Sequence, residues 1–185
     1  MQARRRALVF AAASGWLAAA HANLAAPPVP SEVAAALPGA RMHGSAQLRF
    51  MGLRVYDARL WTGSAALPAD WAGEALALEI QYARSLQGSA IAERSLGEMR
   101  RQGDIDAATS QRWLATMTRL FPDVKAGDRL TAVNLPAAGL RLYANGVLLG
   151  EVGDADFARR FFGIWLAPQT SEPALRLSLL GQVAR

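Results

Sequence analysis

The sequence predicts an α+β domain with an antiparallel sheet and helices segregated from the strands. Strand-like segments with alternating apolar residues fall into two groups, which are separated by two helical segments. The strands of the second group follow one another through short turns, of which Asn145-Gly146 is the strongest hairpin signal in the chain. Hairpin connections favour antiparallel pairing, and helices segregated from the strands favour α+β over an alternating α/β fold.

The first 22 residues have the pattern of a secretory signal peptide. Arg4, Arg5 and Arg6 precede an apolar run over residues 7–20, and Ala20-His21-Ala22 is a small-x-small cleavage motif. The run is shorter than the roughly 20 residues that a membrane-spanning helix needs. We therefore predict a signal peptide over residues 1–22, one domain over residues 23–185, a periplasmic or secreted location, and no stable membrane span after cleavage.

Composition excludes several classes of site. Removal of the three N-terminal arginines lowers the formal net charge from +5 to +2, and no block of like charge remains, so nucleic-acid binding is not expected. The chain has no cysteine, and His43 is the one histidine outside the predicted signal, so we expect no Cys/His zinc site. The chain also has no Gly-rich phosphate-binding loop, so we expect it to bind no nucleotide and no cofactor.

The elements before the first long helix are mostly strands. The proline-rich residues 25–37 read as an extended lead-in. Residues 46–50 and 53–61 alternate like strands around Gly52, which indicates either a bulge or kink in one long strand or two abutting strands. Residues 75–82 read as a half-buried strand. Four residues of this strand share its apolar face: Leu76, Leu78, Ile80 and Tyr82.

Two helices and a three-stranded unit follow. We predict one helix over residues 89–101 and a second from the N-cap Asp106 to Phe121-Pro122. Strands are then predicted over residues 128–135, 140–144 and 147–152. Asp154 caps a helix rich in aromatic residues, and Ser171-Glu172-Pro173 opens a final helix that ends at Gly181.

Three stretches of the chain resemble the chalcone isomerase-like family of bacterial exported proteins, within the chalcone isomerase superfamily. They are Phe-Met-Gly-Leu-Arg-Val-Tyr-Asp-Ala-Arg-Leu-Trp at residues 50–61, Tyr-Ala-Arg at residues 82–84 running on to Ile-Ala-Glu-Arg-Ser at residues 91–95, and residues 143–171, which include Phe-Phe-Gly-Ile-Trp-Leu. The resemblance implies an open-faced antiparallel sheet with a cleft between one sheet face and the helices.

The resemblance implies a binding function more readily than the family's enzymatic one. The plant enzymes close a flavanone ring with an arginine, a strand threonine, and a helix tyrosine and asparagine, which stabilise the developing anion. In this chain Met51, Ile91 and Glu98 stand where the threonine, the tyrosine and the asparagine are expected. Other members of the superfamily bind fatty acids without chemistry and hold the carboxylate with an arginine and a tyrosine at the mouth of the cleft.

Four residues are therefore candidates for ligand binding: Arg41, Arg54, Tyr56 and Arg84. An arginine beside a tyrosine hydroxyl can grip a carboxylate while apolar walls take the tail. Three of the four also have a plainer interpretation, since Arg54 suits a solvated strand face, Tyr56 a core edge, and Arg84 a structural role before a helix. We expect a non-catalytic domain that binds a small apolar or fatty-acid-like ligand. The alternatives are an isomerase or lyase acting on an enone, or an accessory protein that binds a partner not identified by the sequence.

Overall fold

The computed structural model describes residues 27–64, 67–136 and 138–182, so the predicted signal peptide lies outside the described residues. The strands are β1 (Arg41–Phe50), β2 (Leu53–Thr62), β3 (Leu76–Tyr82), β4 (Arg129–Leu135), β5 (Gly139–Ala144) and β6 (Val147–Val152). The α-helices are α1 (Ser31–Ala36), α2 (Gly88–Arg100), α3 (Ala107–Leu120), α4 (Ala155–Leu166) and α5 (Pro173–Leu179).

The six strands form one antiparallel sheet in the order β1-β2-β3-β4-β5-β6, so every strand pairs with its neighbours in sequence. The predicted α+β class and the antiparallel sheet backed by helices are confirmed. Helices α2 and α3 are inserted between β3 and β4 and pack with α4 over one sheet face, while α5 lies against β1. No described helix is long and apolar enough to cross a membrane.

The helix-covered face holds the main core. Leu76, Leu78, Ile80 and Tyr82 of β3 all point into it, as their alternation predicts. Phe157, Phe161 and Phe162 of α4 pack on the same core. The caps predicted for two helices are present, since Asp106 accepts a hydrogen bond from the Thr109 N–H and Asp154 accepts one from the Phe157 N–H.

The opposite sheet face is also partly covered, which corrects two expectations. The prediction of an extended lead-in over residues 25–37 is wrong, because α1 forms there and buries Val33 against Trp61, Ala77 and Val133. Strand β3 is consequently buried on both faces rather than half-buried. Packing of α1 against this face of the sheet buries apolar surface away from water, and this burial favours a helix even in a proline-rich segment.

Two buried carboxylates on this second face accept hydrogen bonds from side chains of other strands. Glu32 of α1, 5% exposed, accepts hydrogen bonds from Arg129 Nη2 at 3.0 Å and from Thr131 Oγ1 at 2.8 Å. Glu79 accepts hydrogen bonds from Arg59 Nη1 at 2.8 Å and from Trp61 Nε1 at 2.9 Å. A buried charge needs such partners, so both groups have a structural role.

The segment around Gly52 is a β-hairpin, and the irregularity expected there lies elsewhere. Met51 and Gly52 adopt φ angles of 49° and 79° between two paired strands. The pairing register passes from Leu48 opposite Tyr56 to Arg49 opposite Arg54. Val55 is therefore an extra residue, a β-bulge in β2 that shifts the alternation of side chains on either side of it.

Candidate functional site

A cavity of about 410 Å³ lies between the helix-covered sheet face and helices α2 and α4. Its volume falls within the range typical of small-molecule sites, roughly 300–1,000 Å³. The sheet supplies apolar walls through Leu78 and Ile80 of β3 and Ala132 of β4, and the helices supply Ile91 and Phe161. The main core is thus incompletely filled at the edge where α2, α4 and the β1–β2 hairpin meet.

The cavity opens at the end of the sheet where β1 and β3 finish. Several residues that line it are also exposed to solvent, and we call these residues the cavity mouth: Arg49, Phe50, Arg84, Ala90, Arg94 and Glu172. Three of the six are arginines and one is a glutamate, so the mouth carries an excess of positive charge. Such a mouth attracts anionic groups from solution.

Tyr56 and Trp165 form the polar pair inside this largely apolar space. The Trp165 Nε1–H donates a hydrogen bond of 2.9 Å to the Tyr56 hydroxyl oxygen. Because indole is a donor only, Tyr56 acts as the acceptor here, and its own proton is left for another acceptor. Burial raises the pKa of Tyr56 to about 12. At neutral pH the side chain is therefore a hydrogen-bond donor and not a phenolate base.

The Tyr56 ring is held in place by its neighbours. It meets Tyr82 edge to face, with ring centroids 6.2 Å apart, and burial raises the pKa of Tyr82 as well. On the other side Trp165 lies edge to face with Phe161, at 5.5 Å between centroids. These contacts fix the ring and hence the position of the hydroxyl oxygen, so a ligand meets a donor that is already in place.

A second polar group lies on α2. Glu98 is 8% exposed and pairs with Arg94 Nη2 through Oε1 at 2.7 Å. Its other oxygen, Oε2, lies 3.6 Å from Arg101 Nε and has no hydrogen-bond partner among the described residues. Both Glu98 and Arg94 line the cavity, and Glu98 occupies the position at which the family resemblance expects an asparagine. Glu98 therefore keeps one buried oxygen without a hydrogen-bond partner, on the side of Arg101, which does not line the cavity.

Two of the four residues predicted for ligand binding line the cavity. Tyr56 lies inside it and Arg84 lies at its mouth, whereas Arg41 and Arg54 do not line it. Arg41 begins β1 opposite Thr62, at the other end of the strand from the mouth. Arg54 donates from Nε to Asp57 Oδ1 at 3.0 Å. The bulge at Val55 breaks the alternation that would have put Arg54 on the same face as Tyr56.

Sequence reasoning did not single out Trp165 or Arg94 as cavity residues, and it named Glu98 only as standing where the family resemblance expects an asparagine. Trp165 recurs at helical spacing with Phe157 and Phe161, a pattern that more often indicates a core face. A signal for Glu98 was present, since the spacing of Ile91, Ser95 and Glu98 puts a carboxylate on the inward stripe of α2. Among the described residues no group of three or more His, Asp or Glu side chains could hold a metal ion.

Comparisons with known proteins agree with this architecture. A crystal structure of a fatty-acid binding protein from Arabidopsis thaliana is similar with a TM-score of 0.61 and 14% sequence identity, covering 78% of this chain and 89% of that one. At this identity the likeness concerns the fold. An uncharacterized protein of Haemophilus influenzae is 34% identical over 107 residues, which are 58% of this chain and 52% of that protein. The match therefore spans about half the length of the relative.

A family model described as chalcone isomerase-like matches residues 41–181, from the first residue of β1 to two residues beyond α5. The matched segment includes all six strands and the helices that enclose the cavity. The chain belongs to the chalcone isomerase-like family.

Proposed function

We propose that this protein is exported and binds, without catalysing a reaction, a fatty acid or a similar ligand with an apolar chain and an anionic head. The cavity carries the proposal, because it combines apolar walls, one preformed hydrogen-bond donor and a positively charged mouth. Small-molecule sites commonly have this composition, with few polar groups that orient a mainly apolar ligand.

The polar groups suit a carboxylate head near the mouth. The free proton of Tyr56 can be donated to a carboxylate oxygen, which makes a charge-assisted hydrogen bond. Arg84 lies at the mouth, and it has no ion pair among the described residues. Its guanidinium group is therefore available to the same anion. The chain of the ligand would extend along Leu78, Ile80 and Ala132.

The Arabidopsis thaliana protein named a fatty-acid binding protein supports this ligand class by analogy of fold. Ile91 and Glu98 line the cavity where the family resemblance expects a tyrosine and an asparagine, and the loss of these two groups supports binding without chemistry. Met51, expected at the strand position of the threonine, lies instead in the β1–β2 turn outside the cavity and carries no such argument. The raised pKa of Tyr56 agrees, since a tyrosine that stays protonated is a poor general base at neutral pH.

The first test is to identify what the purified protein carries. Organic extraction followed by mass spectrometry should release fatty acids or related acyl lipids, and added fatty acids should raise the melting temperature. Recovery of no acyl species, together with no thermal shift for any chain length, would reject the proposal.

A pair of arginine variants tests the position of the head group. Arg84→Ala should weaken fatty-acid binding by about tenfold, as expected for loss of about 1.4 kcal/mol from a charged contact. Arg41→Ala is the matched control, because Arg41 is an exposed arginine at the far end of β1. Displacement of a fluorescent fatty acid measures both. Equal losses in the two variants would point to general electrostatic attraction instead of a site at the mouth.

Catalysis on an enone is the competing outcome. A ketone oxygen hydrogen-bonded by Tyr56 would gain negative charge during attack on the conjugated bond, and nearby arginines would stabilise it. Chalcones and simpler enones should show no protein-dependent loss of absorbance under the present proposal. A saturable loss that disappears in Tyr56→Phe would establish an enzyme.

Export is tested on the protein produced from its full sequence with a C-terminal tag. The mature protein should be recovered from the periplasmic fraction or the medium and should begin at Asn23. Retention of residues 1–22, or recovery in the cytoplasmic fraction alone, would contradict this part of the proposal.

A further inference from the structure

Five of the six large apolar side chains that are most exposed among the described residues lie at one end of the molecule. The six are Phe50 at 65%, Met51 at 86%, Leu53 at 61%, Val147 at 68%, Leu148 at 49% and, on α5, Leu177 at 39%. The first three form the turn of the β1–β2 hairpin, and the next two begin β6. We refer to residues 50–53 as the hairpin tip.

Both groups lie at the end of the sheet where the cavity opens. Because consecutive strands are adjacent and antiparallel, β1 and β5 run in the same direction and finish at the same end of the sheet. The hairpins that follow these strands therefore project from one end of the molecule. Phe50 belongs to both features, since it is part of the hairpin tip and lines the cavity. An apolar surface is thus continuous with the interior of the cavity.

The two hairpin turns provide an internal comparison. Asn145-Gly146 has φ angles of 49° and 86°, and Met51-Gly52 has nearly the same pair, 49° and 79°. Asparagine is among the residues that best tolerate the left-handed region at the first of these positions, whereas an unbranched apolar residue has no local hydrogen bond to offer there. Met51 is nevertheless present and 86% exposed. Neither turn geometry nor packing within the protein accounts for an apolar side chain at this position.

Positive charge surrounds the hairpin tip. Arg49 precedes it, Arg54 follows it, and Arg84 lies across the cavity mouth. Arg54 is paired with Asp57, but Arg49 and Arg84 have no ion pair among the described residues. Arginines next to exposed apolar side chains match a bilayer surface, where anionic headgroups overlie hydrocarbon.

We propose that the hairpin tip inserts into the surface of an anionic lipid bilayer and brings the cavity mouth against the headgroups. This inference rests on the proposed function, because an acyl ligand would then pass between the bilayer and the cavity along Phe50. The tip is too small for a stable protein interface, which buries about 800 Å² on each partner. Three apolar side chains are enough for reversible attachment to a membrane, since burial of each contributes about 1.5–3 kcal/mol.

Vesicle flotation of the protein produced from its full sequence tests the inference. Vesicles of phosphatidylcholine alone are compared with vesicles that also contain phosphatidylglycerol. The unsubstituted protein should float with the anionic vesicles, and Met51→Asn with Leu53→Thr should lower its partition coefficient at least about tenfold. Leu177→Ser is the control, because it removes an exposed leucine from α5, away from the tip. This control should float like the unsubstituted protein.

The single variant Met51→Asn separates the inference from a folding defect. Asparagine suits the backbone at this position, so the melting temperature should be unchanged or higher while flotation falls. Neither Met51 nor Leu53 lines the cavity, so fatty-acid displacement in solution should be the same in all these variants. Failure of the unsubstituted protein to float with anionic vesicles, or equal flotation of the tip variants, would overturn the inference. Flotation without fatty-acid binding would instead reject the proposed ligand and leave membrane attachment in place.

Discussion

Replacement of Tyr56 by phenylalanine removes one oxygen from the cavity and leaves the ring packing intact. The hydroxyl accepts a 2.9 Å hydrogen bond from Trp165 Nε1 and has a proton left for the ligand. A hydrogen bond to a charged group is worth about 1.5–3 kcal/mol, so the Kd for a fatty acid should rise about ten- to a hundredfold. Loss of the bond to Trp165 should lower the free energy of unfolding by about 1 kcal/mol, because that indole is half-buried and accessible to water.

The assay is displacement of a fluorescent fatty acid, with chemical denaturation to measure stability. Tyr143→Phe is the matched control, since Tyr143 packs on the other sheet face, against the apolar cluster that contains Val33 and Trp61. An apolar probe without a carboxylate should bind Tyr56→Phe and the unsubstituted protein alike. If Tyr56→Phe bound fatty acids as tightly as the Tyr143→Phe control, Tyr56 would not be the partner of the head group.

The same residue gives a pH dependence. An ordinary tyrosine ionises near pH 10, whereas burial raises the pKa of Tyr56 to about 12. Its hydrogen bond to a carboxylate should therefore persist as the pH passes about 10, and it should fail only as the pH approaches 12. Neutral Tyr56 also stabilises the folded protein. This contribution is complete below the pKa of tyrosine in the unfolded chain, about 10, and is lost as the pH rises through the folded-state pKa of about 12. A loss of fatty-acid affinity that depends on Tyr56 and occurs already near pH 10 would contradict the raised pKa of this residue.

Three further predictions concern packing and capping. In Gly44→Ala the new Cβ would collide with the carbonyl oxygens of Ser178 and Leu179, so the melting temperature should fall, while Gly73→Ala, with open space around it, should change little. Ala132→Phe should abolish fatty-acid binding by filling the cavity and leave the melting temperature unchanged or raised. Hydrogen bonding to the Thr109 N–H lowers the pKa of Asp106. The stabilisation of the protein by this ionised cap should therefore be lost as the pH falls from about 3.9, the usual value for aspartate, through the lower pKa of the folded state. Thermal melts of Asp106→Asn should show no such pH dependence, although asparagine keeps the cap.

Local patterns in the sequence determined much of the fold. The alternation along β3, the Asn145-Gly146 turn and the caps at Asp106 and Asp154 each depend on residues within a few positions of one another, and the structure confirms them. The family was recognisable for the same reason, because its motifs are contiguous stretches. Tyr56 was identified as a candidate because it lies within one of these stretches.

Only the tertiary structure decided the features that depend on residues far apart in the chain. Helix α1 has six residues, too few to show a period, and its Glu32 is bound by Arg129 and Thr131, which are 97 and 99 positions away. The Trp165–Tyr56 hydrogen bond joins residues 109 positions apart. The cavity volume depends on how closely α2 and α4 approach the sheet, and the bulge at Val55 depends on strand register. Spacing along a chain fixes which side chains share a face of one element, but distances between elements follow from packing.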